Sequence, residues 1–313
     1  MPIPTVLDSS VVNIDTSLAP TLQDWQYQLK DTADGGVLLN GPASADFFDV
    51  TNIEGMSMAD TRVVTVDRDG AHGSYQYAKY LQPKTIVIDM MAYVVNGPGI
   101  IPLLDRLAAN FEPDDNDYPF YTKPSGAEAR VVFGKPLGIK YNHVSGGDEG
   151  GPNKRKVQAQ ILCEDPRHYS TTVVTQTIQF PDIVGSGFHF PITFPWTFGG
   201  QVVGGSAVIN NAGSIESEPV IVLRNRWANA MIINAATAQS LYLPISTNPG
   251  DIIVVDCGAL TVTKNGADIS NKVVDTGGFI FLAKGDNNIS VTATSADASA
   301  AVDFKYRSAW SQG

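Results

Sequence analysis

Apolar and polar residues alternate along most of this chain, in short segments that are separated by turn residues. Six of the clearest segments are TRVVTVDR (61–68), KTIVIDMMAYV (84–94), KRKVQAQILC (154–163), EPVIVLR (218–224), DIIVVDC (251–257) and AVDFKYR (301–307). A period of two is typical of β-strands, because successive side chains point to opposite faces of a sheet. Short strands that recur at intervals of about 8–12 residues are typical of sandwiches and barrels. The pattern therefore predicts a mainly β protein.

One segment has the period of a helix instead. In GPGIIPLLDRLAANFEP (97–113), apolar residues fall at positions i, i+3, i+4 and i+7, namely Leu104, Leu107, Ala108 and Phe111. This spacing places them in one stripe along a helix, and Pro113 prevents the helix from continuing. We predict one α-helix over about residues 100–112, packed on a sheet through this stripe.

The length and a change in composition predict two domains. A chain of 313 residues is long enough to form two hydrophobic cores. In CEDPRHYS (163–170), the dipeptide Asp165-Pro166 favours an extended or turn conformation, and the chain beyond it is poorer in charge and richer in Thr, Ser, Asn and Gly. We place the boundary near residue 168, which gives a first domain over 1–168 and a second over 169–313.

Between two strand-like segments, residues 146–156 (GGDEGGPNKRK) are rich in glycine and charge. Strand signal resumes at once on the far side, so we predict a long hairpin over about 138–163 with a mobile tip, rather than a domain linker. The basic cluster Lys154, Arg155 and Lys156 stands out on an acidic chain, and we expect it to meet an acidic neighbour.

The charge, the apolar runs and the cysteines narrow the possible classes of function. The net charge of −11 argues against a protein that grips nucleic acid through its phosphates. No apolar run approaches the ~20 residues that span a bilayer, and the N-terminal MPIPTVLDSSVVNID lacks the basic start and apolar core of a signal peptide. Cys163 and Cys257 stand alone in strand-like segments, so we expect them to be packing residues.

No residue pattern indicates a catalytic, cofactor or metal site. The four histidines contain no closely spaced pair that would suggest a metal centre. PDDNDY (113–118) offers several oxygen ligands for calcium, although a solvated loop explains it more simply. Glu216 and Glu218 would lie on one side of a strand with α-carbons about 7 Å apart, a separation that a glycosidase can use. Such pairs are common on solvent faces, so we expect no enzyme activity.

The stretch FHFPITFPWTFGG (188–200) concentrates aromatic residues. Its alternate positions would place six large apolar side chains on one face of a strand, while the prolines fall on the other face. Proline is tolerated in edge or bent strands but not in the middle of a sheet. We expect an edge strand or an extended connector whose apolar face is buried against the second domain or a neighbouring subunit.

The order of these segments resembles the distal tail proteins of long, non-contractile-tailed bacteriophages, also called siphovirus tail components or minor tail proteins. In the first part, the resemblance rests on the order of VVTVDRDGAHGSYQYAKYLQPKTIVIDMMAYV (63–94), IIPLLDRLAANF (100–111), ARVVFG (129–134) and QAQILCEDPRHYS (158–170). In the second part, it rests on SAVINNAGSIESEPVIVLRN (206–225), MIINAATAQSLYLPI (231–245), GDIIVVDCGALTVTKNGADISN (250–271) and FIFLAKGDNNISVTA (279–293).

The resemblance implies a non-enzymatic virion protein, made in the host cytoplasm, that forms a ring at the distal end of the tail. The first domain would be a tail-tube-like β-barrel or sandwich with one helix, and the second a galectin-like β-sandwich. The implied partners are further copies of the chain in a six-fold ring, the tail tube protein, the tape measure protein and the tail-tip or baseplate hub proteins. An acidic chain also suits a channel for DNA, because basic groups would retain the polymer. No cofactor, membrane insertion or sequence-specific binding of nucleic acid is implied.

Two sets of candidate contact residues follow from this resemblance. The hairpin over 138–163 matches the arm with which such proteins embrace the next subunit, and the ring contacts would come from Lys140, Tyr141, His143, Lys154, Arg155 and Lys156. The alternative function is a carbohydrate- or receptor-binding adhesin that acts through the second domain. Its candidate sugar contacts are Trp196, Trp227 and Tyr242, because exposed aromatic rings can stack on sugars.

Overall fold

The structure, a computed structural model, describes residues 19–43, 46–95, 99–142, 151–180 and 203–313. It divides into two compact units, one formed by residues 19–171 together with Trp310–Gly313 and the other by Thr172–Ala309. The described residues are mainly β-strand with a single α-helix, which confirms the predicted fold class.

The first unit contains one helix and ten of the strands. The elements of this unit, in chain order, are β1 (Tyr27–Leu29), β2 (Val37–Leu39), β3 (Phe47–Glu54), β4 (Thr61–Asp67), β5 (Ser74–Leu81), β6 (Lys84–Tyr93), α1 (Ile100–Asn110), β7 (Tyr118–Thr122), β8 (Arg130–Tyr141), β9 (Lys154–Cys163) and β10 (His168–Ser170). A short 3₁₀ helix, Thr32–Asp34, lies between β1 and β2.

Seven of these strands form one antiparallel sheet in the order β2-β1-β7-β8-β9-β6-β3, and β10 pairs with β8 beside it. The two ends of this order meet at Asn40. Its backbone N–H donates to the carbonyl oxygen of Phe48 at 2.7 Å, and its side-chain oxygen accepts from the N–H of Val50 at 2.5 Å. The sheet therefore curls until its first and last strands meet at this point.

Helix α1 closes the core of the first unit. Its buried residues include Leu103, Leu104 and Leu107, and Phe111, which follows the helix, is also buried. They pack with the inward side chains of β6 and β9, such as Ile88 and Ala159, so the predicted apolar stripe lies against the sheet. Within the described residues, no helix is long and apolar enough to cross a membrane.

The second unit contains the remaining strands and a 3₁₀ helix, Ser270–Lys272. Its strands are β11 (Val174–Gln179), β12 (Val203–Asn211), β13 (Val220–Arg224), β14 (Trp227–Asn234), β15 (Gln239–Ser246), β16 (Ile252–Asp256), β17 (Thr261–Lys264), β18 (Ala267–Asp268), β19 (Val274–Thr276), β20 (Gly285–Ala293), β21 (Ser295–Ala296) and β22 (Ala301–Tyr306). The final strand is β23 (Ala309–Trp310).

These strands form two sheets with a shared core. One sheet has the order β11-β22-β13-β16-β17-β18, and the other has the order β12-β20-β14-β15-β19 with β21 beside β14. Inward side chains from both sheets, including Ile232, Leu241, Val255 and Phe304, form one apolar cluster. Two sheets around one core make a β-sandwich.

Three fully buried asparagines hold the loops of the sandwich. The side-chain amides of Asn211, Asn234 and Asn287 donate to the carbonyl oxygens of Ile215, Phe281 and Ala283, each at 2.8 Å. A buried amide without partners would be costly, so each one fixes the path of the loop that supplies its acceptor. The loops between strands are thus part of the packed structure.

Candidate assembly surface

Strands β4 and β5 of the first unit form a hairpin that is separate from the main sheet. They pair with each other, with a register shift between Val64 and Thr65, and with no other described strand. Every residue of β4 is exposed, and in β5 only Ala78 and Leu81 are half-buried. A two-stranded hairpin is marginally stable by itself in water. Within the described residues, this hairpin therefore has no third strand to support it.

The two faces of the hairpin differ in polarity. The cross-strand pairs Arg62–Tyr80, Val64–Ala78 and Val66–Tyr75 share one face, because residues 62, 64 and 66 are two apart on β4. The opposite face carries Val63 with Lys79, Thr65 with Gln76 and Asp67 with Ser74. We call the first of these the apolar face of the hairpin and the second its polar face.

The apolar face is open to solvent in the single chain. Val66 is 53% exposed, Tyr75 57% and Tyr80 53%. Arginine side chains lie over two of the rings, with the guanidinium carbon of Arg62 5.6 Å from the ring centroid of Tyr80 and that of Arg68 4.8 Å from the ring centroid of Tyr75. Exposed apolar patches with polar rims mark protein contacts, and tyrosine and arginine are enriched at such contacts.

The described residues predicted for the arm over 138–163 lie in strands β8 and β9 of the main sheet. Lys140 and Tyr141 pair with Gln158 and Val157 of β9, and residues 154–156 pair with β6 on their other side. The Arg155 side chain is nearly buried, and its guanidinium donates to the carbonyl oxygen of Asn142 at 2.8 Å. His143 and the tip of this hairpin lie outside the described residues. A ring contact through these six residues stays a prediction.

The candidate sugar contacts are not gathered on one surface. Trp227 is only 1% exposed and belongs to the core of the sandwich, so the exposed ring that we predicted there is wrong. Its backbone N–H donates to the hydroxyl of Thr247 at 2.9 Å, which anchors the start of β14. Tyr242 is half-buried on β15. Trp196 and the aromatic stretch 188–200 lie outside the described residues.

The other candidate chemical groups are dispersed as well. Glu216 is exposed and Glu218 is half-buried. In the loop after α1, Asp114 accepts hydrogen bonds from the hydroxyl of Tyr118 at 2.6 Å and the amide of Asn116 at 2.7 Å, and these bonds lower its pKa to about 2. Among the described residues, no group of three or more His, Cys, Asp or Glu side chains is placed to hold a metal ion.

One buried ionisable pair has no signal in the sequence. The ammonium of Lys84, at the start of β6, lies 2.7 Å from Nε2 of His168, which is fully buried. Burial lowers the pKa of Lys84 to about 8, and burial together with the nearby charge of Lys84 lowers the pKa of His168 to about 3. The imidazole is therefore neutral at pH 7, and the ammonium donates to it.

A Lys84→Met variant is expected to change how stability depends on pH. In the folded chain the pKa of Lys84 is about 8, whereas the ordinary value is 10.5. Between these values the unfolded chain binds more protons than the folded one, so Lys84 makes the stability of the wild type rise with pH. The methionine variant should lack this rise. Chemical denaturation from pH 7 to 11 at low protein concentration measures the difference.

The exposed Lys79 provides a matched control, because Lys79→Met removes the same charge from a solvated position. The Lys79 variant should follow the wild-type pH dependence. A Lys84 variant that also follows the wild-type curve would contradict a depressed pKa at this site.

A family model and solved structures of phage proteins match this chain. Residues 212–310 match the family model of the siphovirus-type tail component, C-terminal domain. The crystal structure of the SPP1 Dit protein, described as a hub of the adsorption apparatus in phages that infect Gram-positive bacteria, matches with a TM-score of 0.52 and 16% identity, over 90% of this chain and 98% of that chain. The phage P2 baseplate structure covers 88% of this chain and 99% of its own chain at 7% identity, with a TM-score of 0.36. No curated protein matches the sequence.

The family match and the Dit structure confirm the resemblance to distal tail proteins, and the family is a structural component of phage tails. Residues 212–310 are thus similar to the siphovirus-type tail component, C-terminal domain, and the chain as a whole has the fold of the SPP1 Dit protein.

Proposed function

We propose that this protein is a ring-forming structural subunit at the distal end of a phage tail, and that the β4–β5 hairpin holds neighbouring subunits together. The observation that carries the proposal is the hairpin itself. Its apolar face is exposed in the single chain, and its strands pair with no other described strand. The fold of a distal tail protein agrees with this role.

The contact is expected to be head to tail. We expect the surface that receives the hairpin to be a different part of the chain, so that each subunit uses one as donor and the other as acceptor. Such heterologous contacts form closed rings when the rotation between subunits closes. A ring, with six copies as the expected number, leaves a central channel through which DNA passes.

The remaining partners follow from that position. The ring would join the tail tube protein and the tape measure protein on one side to the tail-tip or baseplate hub proteins on the other. A net charge of −11 per chain suits such a channel, because basic groups would retain DNA. The adhesin alternative has less support, because the indole of Trp227 is in the core of the second unit.

Purified protein tests the proposal directly. Negative-stain images and native mass spectrometry at micromolar concentration should show rings with a central hole and one dominant copy number. A strict monomer across the accessible concentration range would overturn the proposal. An open filament of variable length would support head-to-tail contacts but contradict closure into a ring.

A further inference from the structure

One part of the main sheet consists of four strands in the order β8-β9-β6-β3. Strand β8 pairs with β7 through residues 130–134, and its later residues pair with β9. At the far side, β3 pairs with β6, and the described residues show it meeting β2 near Asn40. Within the described strands, the second half of β8 and the last residues of β3 are thus the two outer positions of this region.

Opposite charges lie near these two outer positions. Asp49 and Glu54 on β3 pair with Met91 and Val87 of β6, whose side chains point away from the core. On the same face, Lys140 of β8 pairs with Gln158, and residues 154 and 156 of β9 pair with Tyr93 and Met91. We call Asp49 and Glu54 the acidic edge, and Lys140, Lys154 and Lys156 the lysine strip.

The two groups of charges do not neutralise each other within one chain. Strand β3 is two strands from β9, or about 10 Å, and three strands from β8. Among the described residues, none of the three lysines forms an ion pair, and neither Asp49 nor Glu54 does. Asp49, Glu54, Lys140 and Lys156 are all exposed. The exposed face of the sheet is therefore negatively charged at β3 and positively charged at β9 and β8.

We propose that the acidic edge of one copy of this chain meets the lysine strip of the next copy. This inference rests on the proposed ring and names the contact that gives it direction. Two acidic edges, or two lysine strips, would repel each other, whereas the unlike pair attracts, so electrostatics selects head-to-tail order over a symmetric pair. The occupant of this surface is thus a second copy of the same chain.

Charge reversal tests the contact in both directions. An acidic-strip variant carries Lys140→Glu and Lys156→Glu, and a basic-edge variant carries Asp49→Lys and Glu54→Lys. Each variant alone would place like charges together, so its self-association should weaken by at least about tenfold at 0.1 M salt. Sedimentation velocity measures the association, and circular dichroism verifies that each variant is folded.

Mixing the two variants in equal amounts provides the decisive result. In the mixture, the unchanged acidic edge of one variant meets the unchanged lysine strip of the other, and the two reversed surfaces also complement each other. Assembly should therefore return to near the wild-type level. A Lys272→Glu variant, which changes an exposed lysine of the second unit, should assemble as the wild type does.

The outcomes separate the two proposals. A wild-type protein that never associates overturns the ring itself. A wild-type protein that associates, while both reversed variants associate equally well or their mixture is not restored, overturns the charge pairing and leaves the ring intact.

A salt series tests the pairing if the reversed variants do not fold. Raising the salt from 0.05 to 1 M must then weaken wild-type association, because screening shortens the reach of charges. Association that is indifferent to salt would overturn the pairing.

Discussion

A Val64→Asp, Tyr75→Asp double variant is expected to remain monomeric at concentrations where the wild type assembles. Both side chains lie on the apolar face of the β4–β5 hairpin, and both are exposed in the single chain. In the proposed ring this face is buried against the next subunit, where each central contact contributes about 2 kcal/mol or more. Two buried carboxylates without partners would add a further cost. We expect the association constant, measured by sedimentation velocity, to fall by about 100-fold or more.

The polar face of the same hairpin supplies a closely matched control. Val63 is 44% exposed and Val64 is 39% exposed, yet they point to opposite faces. A Val63→Asp, Gln76→Asp variant adds the same two charges at neighbouring positions but should assemble normally. Because the hairpin packs on no other described strand, the melting temperature of the monomer should be similar in both variants. Equal loss of assembly in both would mean that charge, and not the apolar face, is responsible.

A Trp227→Ala variant is expected to destabilise the second unit by about 3–5 kcal/mol, the range for removal of a large aromatic side chain from a core. Trp227 is 1% exposed and packs among the apolar residues of both sheets. Denaturant unfolding, followed by hydrogen exchange of the β14 amides, reports the free energy of unfolding of this unit. The stability of the first unit should not change.

Tyr242 on β15 is the control for this substitution, since it is half-buried and was a candidate for the same sugar site. A Tyr242→Ala change should cost about 1 kcal/mol. If the Trp227 variant keeps its stability but loses binding to a host polysaccharide, the indole must be exposed, and this result would support the adhesin alternative.

Periodicity located the elements of the first unit well, for a physical reason. In β6 and β9, every second residue is buried, including Ile86, Ile88 and Ile161, because one face of the sheet packs on the core. Helix α1 could be located for a similar reason, since its stripe of leucines lies against that sheet. Both patterns arise because one face of each element is buried, and the spacing of apolar residues in the sequence follows that face.

The same reasoning could not identify the free hairpin. TRVVTVDR has the same kind of pattern as the buried strands, and it is a strand, but no second layer of described residues covers it. Glycine and charge near residue 150 predict an arm there; the strands on either side of that tip are central to the sheet, and the tip itself lies outside the described residues. Composition reports which residues are polar, but it does not report which strand pairs are left without neighbours.

Long-range contacts explain the remaining features of the structure that the sequence did not predict. Lys84 and His168 are 84 positions apart, and they meet because β6 pairs with β9 and the chain then turns into β10. Trp227 is an aromatic residue at the start of a strand, and sequence alone does not say which face of that strand points inward. Likewise, the acidic edge and the lysine strip share a face only because of the strand order β3-β6-β9-β8.

By itself, the sequence determined the mainly β character, the position of the helix and the resemblance to distal tail proteins, because each depends on local spacing or on the order of segments. Tertiary structure decided which hairpin is free, which tryptophan is buried and where opposite charges lie across the sheet. Those features depend on pairing between strands that are distant in the chain, and such pairing is set by the packing of the whole core.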